Sequence, residues 1–396
     1  MINLIFLFTS YFILMIWYWK FKSKKINLGF VLILIYTLVS FFSIIFYLDY
    51  DSSYNEYVGN ISFWPYLFLF IVSLLFFRPF LNNNEPSIER LGKRKERLIY
   101  LFSLIYILAS FITVFYQITN IISIFQGGDW LTLRNATYYD EDYKLYDSQS
   151  ERFARIIASN TKLLAILIYF YYSTYLKNRL SIFKMILLLS ILTPSLFTSF
   201  ETAGRGSVLF LFFYFLTGYL IFKSKLSNAT KLRLKYFAIT LISVVLIYII
   251  SVTASRFGDQ NESSIIYYIS HSFMTFNYGV ADSIVNYANG KYFFNNFFTD
   301  PDINYLYLGT HFGTKFITFI GTLYLDFGPV GTFLIALIVP LFMFLKKKNS
   351  NNFSSIFLYS SYYNYLISGV FVVGSGNAQK WLVIVGLFFI LKTFRL

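Results

Sequence analysis

Residues 20–48 read KFKSKKINLGFVLILIYTLVSFFSIIFYL, and this stretch decides the fold. Four lysines lie within its first six residues, and residues 28–48 include no charged residue. About 20 mostly apolar residues are enough to cross roughly 30 Å of hydrocarbon. Lipid offers the backbone no hydrogen-bond partner, so such a run must be helical. The stretch therefore predicts a membrane-spanning helix whose basic end faces the cytoplasm.

Similar apolar runs recur along the whole chain. We therefore predict an all-α, polytopic membrane protein of about 11 transmembrane helices, forming a single domain over 1–396. The piece 312–325 is too short and too interrupted by glycine for a full span, and we expect it to be re-entrant. The predicted spans are 2–19, 28–48, 61–81, 98–125, 156–176, 185–200, 207–222, 236–254, 327–345, 353–373 and 381–394.

The composition supports a membrane protein and excludes several kinds of site. Only 13% of the residues are charged, against roughly 25% in soluble domains. The chain has no cysteine and 2 histidines, which excludes disulfides and thiolate sites and argues against a multi-histidine metal centre. The first apolar run has no basic residue before it and no small-residue cleavage site, so we interpret it as a retained helix.

Basic residues are concentrated on one side of these spans. Of the 33 basic residues, 23 fall in connections that hold only 3 of the 19 acids, and this asymmetry places those connections in the cytoplasm. The N-terminus is then on the outer side and the C-terminus in the cytoplasm. The net charge of +14 reflects topology and requires no nucleic-acid partner. The basic clusters are Lys20–Lys25, Arg78–Arg97, Lys177–Lys184, Lys223–Lys235, Lys346–Lys348 and Lys392–Arg395.

Function is expected on the outer side. The cytoplasmic connections contain no Gly-rich phosphate loop or paired-Asp nucleotide motif, whereas the loops at about 126–155 and 255–311 are long. The first mixes tyrosine, acids and arginine, which suits sugar or headgroup binding. Within the second, 263–288 has helical periodicity, and we expect a helix lying on the outer membrane surface. An interfacial aromatic belt explains most of the tyrosines equally well.

Two arginines near the outer ends of spans are candidate anion ligands. The segment ETAGRGS, 201–207, puts Arg205 between two glycines just before a predicted helix. A helix N-terminus and a guanidinium together form a natural anion site. Arg256 follows the eighth predicted span in SVTASRFG. The alternative for both is an arginine that extends towards the interface without binding a ligand.

A cationic stripe is a third candidate. Arg152, Arg155, Ser159 and Lys162 follow spacings of three, four and three, which places them on one face of a helix that enters the fifth span. Such a stripe suits an anionic lipid headgroup. The alternative is that these cations extend to the interface and pair with Glu201 or another acid.

Two histidines and one acid complete the candidates. His271 lies in the aromatic segment, and His311 lies in LGTHFGTK, where the chain re-enters the membrane. Either could act as a base near neutral pH, although a single histidine is often structural. Asp326 in YLDFGPVG could cap a helix or pair with Lys315 or an arginine.

These features together resemble a known family. About eleven helices, the GRGS turn before a helix, an arginine after the eighth span, a large outer loop and the closing LYLDFGPVG segment are similar to the bacterial O-antigen polymerases (Wzy-type oligosaccharide repeat-unit polymerases). The resemblance lies chiefly in residues 195–340. It implies a GT-C-like membrane glycosyltransferase that works on the periplasmic face of the bacterial inner membrane, which makes the outer N-terminus periplasmic.

The resemblance also implies an activity and residue roles. The substrate would be an undecaprenyl-diphosphate-linked oligosaccharide, whose glycan is transferred to the next lipid-linked repeat unit without a cofactor, metal or nucleotide. Arg205 and Arg256 would hold the diphosphate, and His311 would activate the acceptor hydroxyl. A polysaccharide chain-length regulator is a possible partner besides the lipid bilayer.

Other functions remain open from the sequence. An O-antigen ligase would use the same lipid donor with a different acceptor. A lipid-linked oligosaccharide flippase, the non-enzyme alternative, would also carry charges in its spans, but with short loops and an internal repeat. A membrane acyltransferase would show a histidine early in the chain, and a channel or receptor would show a selectivity filter or signalling domain.

Overall fold

The structure, a computed structural model, describes residues 1–49, 61–82, 88–127, 148–176, 181–202, 206–257, 270–277, 287–291, 293–294, 318–348, 352–371 and 377–396. Within these ranges every regular element is a helix. The longer helices are α1 (Ile2–Trp17, continued by a π turn Tyr18–Lys22), α2 (Leu28–Asp49), α3 (Phe63–Phe77), α4 (Lys93–Gly127), α5 (Gln149–Asn160), α6 (Lys162–Tyr175), α7 (Ser181–Glu201), α8 (Gly206–Phe222), α9 (Asn228–Phe257), α10 (Phe319–Lys348), α11 (Phe353–Ser368) and α12 (Asn377–Thr393).

Five helical segments are long and apolar enough to cross a bilayer. They are Ile2–Lys22, Leu28–Leu48, Lys93–Ile118, Ser181–Glu201 and Phe319–Phe344. Helices α5 and α6 meet at a 53° bend and would provide a sixth span if they cross together. Helices α3 and α8 are apolar but shorter. The predicted class, an α-helical multi-pass membrane protein, is confirmed at this level, and the number eleven stays a prediction.

The chain forms two compact units, each assembled from distant parts of the sequence. Unit 1 contains Met1–Pro86, Glu262–Asn351 and Ser361–Phe388. Unit 2 contains Ser87–Asn261, Asn352–Ser360 and Phe389–Leu396. Unit 1 therefore includes α1, α2, α3 and α10, and unit 2 includes α4 to α9.

Buried tyrosines join the helices of unit 1. For four of them the hydroxyl group reaches a polar atom on another helix, as a buried tyrosine commonly does. Most of these partners are backbone carbonyl groups. Tyr36 Oη donates to the Leu366 carbonyl (3.1 Å), Tyr362 Oη to that of Phe76 (2.9 Å) and Tyr363 Oη to that of Leu28 (2.9 Å), while Tyr11 Oη lies 2.7 Å from Ser73 Oγ.

The segment 270–277 differs from the prediction. We expected 263–288 to form a helix on the outer surface, but every residue from 270 to 277 is buried in unit 1. Phe273 stacks on Tyr11 with ring centroids 6.2 Å apart. At the end of the segment, Asn277 Nδ2 donates to the Ser62 carbonyl (2.7 Å), and the Ser62 amide donates to Asn277 Oδ1 (2.9 Å). Its aromatic side chains therefore pack between spans and do not face the lipid surface.

Helix α10 is broken at Gly328. Residues 312–325 and 327–345 were expected to be separate elements, and the described part from Phe319 onwards consists of two helices that meet at a kink at Gly328. Pro329 cannot donate to the helix and disfavours helical geometry in the preceding residue. Gly328 accordingly has φ 66° and ψ −177°, a conformation that is essentially restricted to glycine.

Unit 2 is built around a polar face of α4. Ser103, Tyr106, Ser110, Thr113 and Gln117 alternate at spacings of three and four, lie on one side of the helix and are all buried. The hydroxyl groups of Ser103 and Thr113 donate to carbonyls one turn back in α4. Small polar residues let transmembrane helices approach closely, which suits the packing of α4 against α7.

Replacing Gly328 by alanine tests the break in α10. The added Cβ would lie 2.9 Å from the Tyr287 ring, and the positive φ would be strained. We expect Gly328→Ala to lower the free energy of unfolding by about 1–3 kcal/mol, measured as a lower thermal midpoint of the purified protein in detergent. The control is Gly386→Ala within α12, where the new methyl group would meet no atom within 4 Å. Equal midpoints for Gly328→Ala and wild type would contradict the strained break.

Candidate functional site

Helix α5 carries charged residues on its buried face. Ser148 caps the helix by accepting a hydrogen bond from the Glu151 amide (3.1 Å), as serine commonly does at helix starts. Glu151, Ala154, Arg155 and Ala158 are buried and follow helical spacing. The two alanines allow close approach to the neighbouring helices, and the two charged side chains must find their partners inside the protein.

Arg155 is the centre of a buried ion cluster. Its Nη1 and Nη2 donate to the two carboxylate oxygens of Glu201 at 2.5 and 2.7 Å, a paired geometry that is among the strongest ion contacts. Nη2 also donates to Glu151 Oε1 at 2.5 Å, from one helical turn before. The side chains are 9%, 1% and 2% exposed for Arg155, Glu201 and Glu151.

Gln117 extends this cluster from α4 to α7. Its Nε2 donates to Thr198 Oγ1 at 2.8 Å and lies 3.4 Å from both Glu201 Oε2 and the Pro194 carbonyl oxygen. Its Oε1 is buried and has no hydrogen-bond partner among the described residues. The cluster thus ties together the ends of α4, α5 and α7.

The cluster lies at the helix ends opposite the basic residues of unit 2. On α4, Gln117 is separated from Lys95 by about 33 Å at 1.5 Å per residue, close to the roughly 30 Å thickness of the hydrocarbon core. On α7, Lys184 is near the start and Glu201 is the last residue. The cluster is therefore separated from the basic residues of α4 and α7 by most of the length of these helices.

The composition of the cluster limits what it can bind. Among the described residues, one guanidinium faces two carboxylates. The Arg155 guanidinium is therefore already engaged by acids, and an anionic headgroup would have to compete with Glu201 and Glu151 for it. This geometry suits Arg155 to holding the helices in place.

The predicted cationic stripe is wrong as a single helix face. The helix breaks at Thr161, and the 53° bend separates Lys162, which begins α6, from the residues of α5. Arg152 and Ser159 are exposed, whereas Arg155 is buried. Of the interpretations open from the sequence, pairing with Glu201 is the one that the structure shows for Arg155.

Most other candidates are only partly described. Arg205, His311 and Lys315 lie outside the described residues. Arg256 lies in the last turn of α9, which ends at Phe257. Helix α9, which carries Arg256, belongs to unit 2.

His271 and Asp326 have structural surroundings in unit 1. The Thr275 hydroxyl group lies 2.7 Å from His271 Nδ1, and burial lowers the pKa of His271 to about 4, so its imidazole is neutral at pH 7. Asp326 is fully buried, and its Oδ2 accepts the Phe293 amide hydrogen at 2.6 Å. This contact anchors the segment 287–294 beside the break in α10, and the structure shows a backbone partner for Asp326.

Two members of the cluster were missed by the sequence interpretation. Glu151 lies four residues before Arg155, a spacing at which opposite charges meet on a helix. Gln117 is a polar side chain within a predicted span, which by itself marks a candidate site. Both signals were present in the sequence, but the link from Gln117 and Arg155 to Glu201 requires the tertiary structure.

No protein-family model, characterised protein sequence or solved structure matches this chain.

We expect removal of the Glu201 carboxylate to destabilise the protein. Glu201→Ala leaves Arg155 paired with Glu151 alone, and its Nη1 loses its buried acceptor, which lowers the free energy of unfolding by about 1–3 kcal/mol. Unfolding of the purified protein in detergent would measure this loss. Arg152→Ala, at an exposed arginine of the same helix, is the control and should stay within about 0.5 kcal/mol of wild type. Equal effects of the two substitutions would show that the cluster is not a structural anchor.

Proposed function

We propose that this chain polymerises undecaprenyl-diphosphate-linked oligosaccharide repeat units on the periplasmic face of the bacterial inner membrane. The proposal includes the finer fold: about eleven spans in a GT-C-like arrangement, with the N-terminus outside and the C-terminus in the cytoplasm. Its product would be O-antigen or a related surface polysaccharide. The reaction needs no cofactor, because the lipid diphosphate donor is already activated.

The observation that carries this proposal is the buried cluster of Arg155, Glu201 and Glu151. Ionisable residues within a membrane protein are costly and usually mark a functional region. This cluster combines two acids and an arginine at the end of unit 2 that the charge pattern assigns to the outside. A periplasmic glycosyltransferase requires an organised polar site at that level.

The cluster also supports a role for Arg205. Arg205 follows Glu201 by four residues, so their Cα atoms are at most about 14 Å apart. It directly precedes Gly206, the first residue of α8, whose N-terminus carries partial positive charge. A guanidinium has five N–H donors, so Arg205 could hold more than one phosphate oxygen.

In the proposed reaction, the acceptor hydroxyl oxygen forms a bond to the anomeric carbon of the donor glycan. The bond from that carbon to the diphosphate oxygen breaks, and undecaprenyl diphosphate leaves with the electron pair. Arg205 and Arg256 stabilise the negative charge that develops on the diphosphate. His311 accepts the hydroxyl proton; its role, like that of Arg256, rests on the family resemblance. Arg155 acts as a positioning residue.

The orientation can be tested because the chain has no cysteine. Gln149 and Arg94 are both exposed and lie at the two ends of unit 2. We expect a membrane-impermeant maleimide to label Gln149→Cys in intact spheroplasts, and to label Arg94→Cys only after the membrane is opened. The cysteine-free parent provides the background. Labelling of Arg94→Cys alone in intact spheroplasts would reverse the proposed orientation and place the cluster in the cytoplasm.

The activity can be tested by deleting the gene and separating the lipopolysaccharide on a gel. Loss of polymerisation should reduce the ladder to core that bears a single repeat unit, because export and ligation continue. Bare core would instead indicate a ligase or a flippase, and accumulated lipid-linked polymer would favour the ligase. An unchanged ladder would exclude a role in this polymer.

In the same strain, Arg205→Ala and Arg256→Ala should each fail to restore long chains at the wild-type protein level, because diphosphate charge is no longer neutralised. Arg94→Ala, at an exposed arginine on the opposite side, should restore them. Full-length polymer from both Arg205→Ala and Arg256→Ala would exclude the diphosphate role.

Replacing His311 tests its role as the base. An unchanged chain-length distribution of the polymer in the His311→Gln strain would exclude that role.

A further inference from the structure

Unit 2 also contains an apolar groove whose lining shares no residue with the ion cluster. The groove lies between α6, α8 and α9 and has a cavity volume of about 490 Å³, within the roughly 300–1,000 Å³ range of ligand pockets. Its lining includes Phe170 from α6, Phe212 and Phe215 from α8, and Phe237 from α9. These rings give the groove a wall that matches hydrocarbon.

The floor of the groove is closely packed. Gly218 of α8 faces α6, and a Cβ at this position would lie 2.5 Å from the Phe170 ring. The absence of a side chain at Gly218 therefore lets α6 and α8 meet closely. Helix α9 contacts this pair through Phe237, whose ring centroid lies 5.9 Å from that of Phe215. The groove is the space that remains beside this contact.

One end of the groove is basic. Asn228, Lys231 and Lys235 belong to its lining and lie in the first two turns of α9. Ser227 caps this helix by accepting a hydrogen bond from the Thr230 amide (3.3 Å), which fixes the start of the basic turn. From Lys231, the lining extends along α9 to Ala238, about 10 Å further at 1.5 Å per residue. The groove is thus cationic at one end and apolar along two helical turns.

The two lysines are available for a ligand. Among the described residues, neither Lys231 nor Lys235 has an ion pair or a hydrogen bond from its side chain, and no acid lines the groove. Nearby Lys225 is different, because its Nζ donates to the Ile88 carbonyl. The basic segment 223–235 is also one of those that the charge pattern assigns to the cytoplasm.

We propose that this groove binds one anionic phospholipid from the cytoplasmic leaflet, with its phosphate at Lys231 and Lys235 and an acyl chain against Phe212, Phe215 and Phe237. Such a lipid would match the groove both in charge and in shape. A soluble anion has no part that could fill the apolar end, and the phosphate of a zwitterionic lipid is already balanced by the ammonium group of its own headgroup. Basic pockets between transmembrane helices on the cytoplasmic side are suited to acidic headgroups.

The test uses the full-length protein purified in a neutral detergent and titrated with phosphatidylglycerol, with bound lipid counted by native mass spectrometry. We expect tighter binding of phosphatidylglycerol than of phosphatidylcholine. Lys231→Gln with Lys235→Gln should weaken phosphatidylglycerol binding about 25-fold, since each lysine near a phosphate contributes roughly a fivefold effect. The matched control is Lys93→Gln with Arg94→Gln, two exposed cations at the same end of unit 2 but outside the groove, which should leave the affinity unchanged.

Filling the groove separates its apolar end from its charged end. Ala238→Trp and Leu216→Trp add volume from α9 and α8 respectively, and each should reduce phosphatidylglycerol binding while both lysines remain. Two variants from different helices are used because one of them could fail to fold. A thermal midpoint equal to that of the wild-type protein shows that a variant is folded.

Several results would overturn the proposal. Equal affinity for phosphatidylcholine and phosphatidylglycerol, or equal effects of the two double substitutions, would exclude recognition of the charge. Displacement of the lipid by millimolar inorganic phosphate would indicate a site for a soluble anion. Unchanged binding to both well-folded tryptophan variants would exclude the groove as the place of the acyl chain. None of these outcomes depends on the proposed polymerase activity.

Discussion

Lipid tails provide no hydrogen-bond donor or acceptor, so every polar group inside this protein must find its partner within the protein. Apolar faces give little selectivity, since lipid matches them as well as another helix does. Polar contacts therefore specify which helices meet. In unit 1 this is done by tyrosine hydroxyl groups such as those of Tyr36 and Tyr362. In unit 2 the ends of α4, α5 and α7 are joined by Gln117, Arg155 and Glu201.

The same constraint connects the fold of unit 2 to its proposed chemistry. A buried ion pair rarely stabilises a protein more than apolar residues of the same volume would. Its value is better explained by geometry, because a paired guanidinium fixes the positions of the groups it joins. Arg155 holds the last residue of α7, and four residues later the chain reaches Arg205 and the start of α8. In the proposed reaction, this short connection positions a cation for the diphosphate.

Hydropathy alone predicted the helical class and the approximate position of most helices, because apolar runs such as 28–48 must be helical in lipid. Hydropathy did not predict the bend at which one of these helices changes direction. The stripe from Arg152 to Lys162 was expected on one face, but a bend at Thr161 divides it. By contrast, the boundary expected between 325 and 327 lies close to the kink at Gly328, where two helices meet. The partnership of Arg155 with Glu201 links positions 46 residues apart in sequence, and no local spacing shows which of several acids an inward arginine will meet.

The tyrosine contacts of unit 1 have an evolutionary consequence. When Tyr36, Tyr362 or Tyr363 donates to a carbonyl oxygen, the acceptor belongs to the main chain, which every amino acid supplies. Mutational drift at Leu366, Phe76 or Leu28 can therefore change the side chain while the bond persists, provided that the new residue still packs. Selection for the hydrogen bond therefore acts on the tyrosine alone. The bond itself is not expected to cause correlated substitutions at the tyrosine and at the residue that supplies the carbonyl group. Tyr11 and Ser73 are the contrasting case, because both hydrogen-bonding groups belong to side chains. Substitutions at these two positions are therefore expected to be correlated.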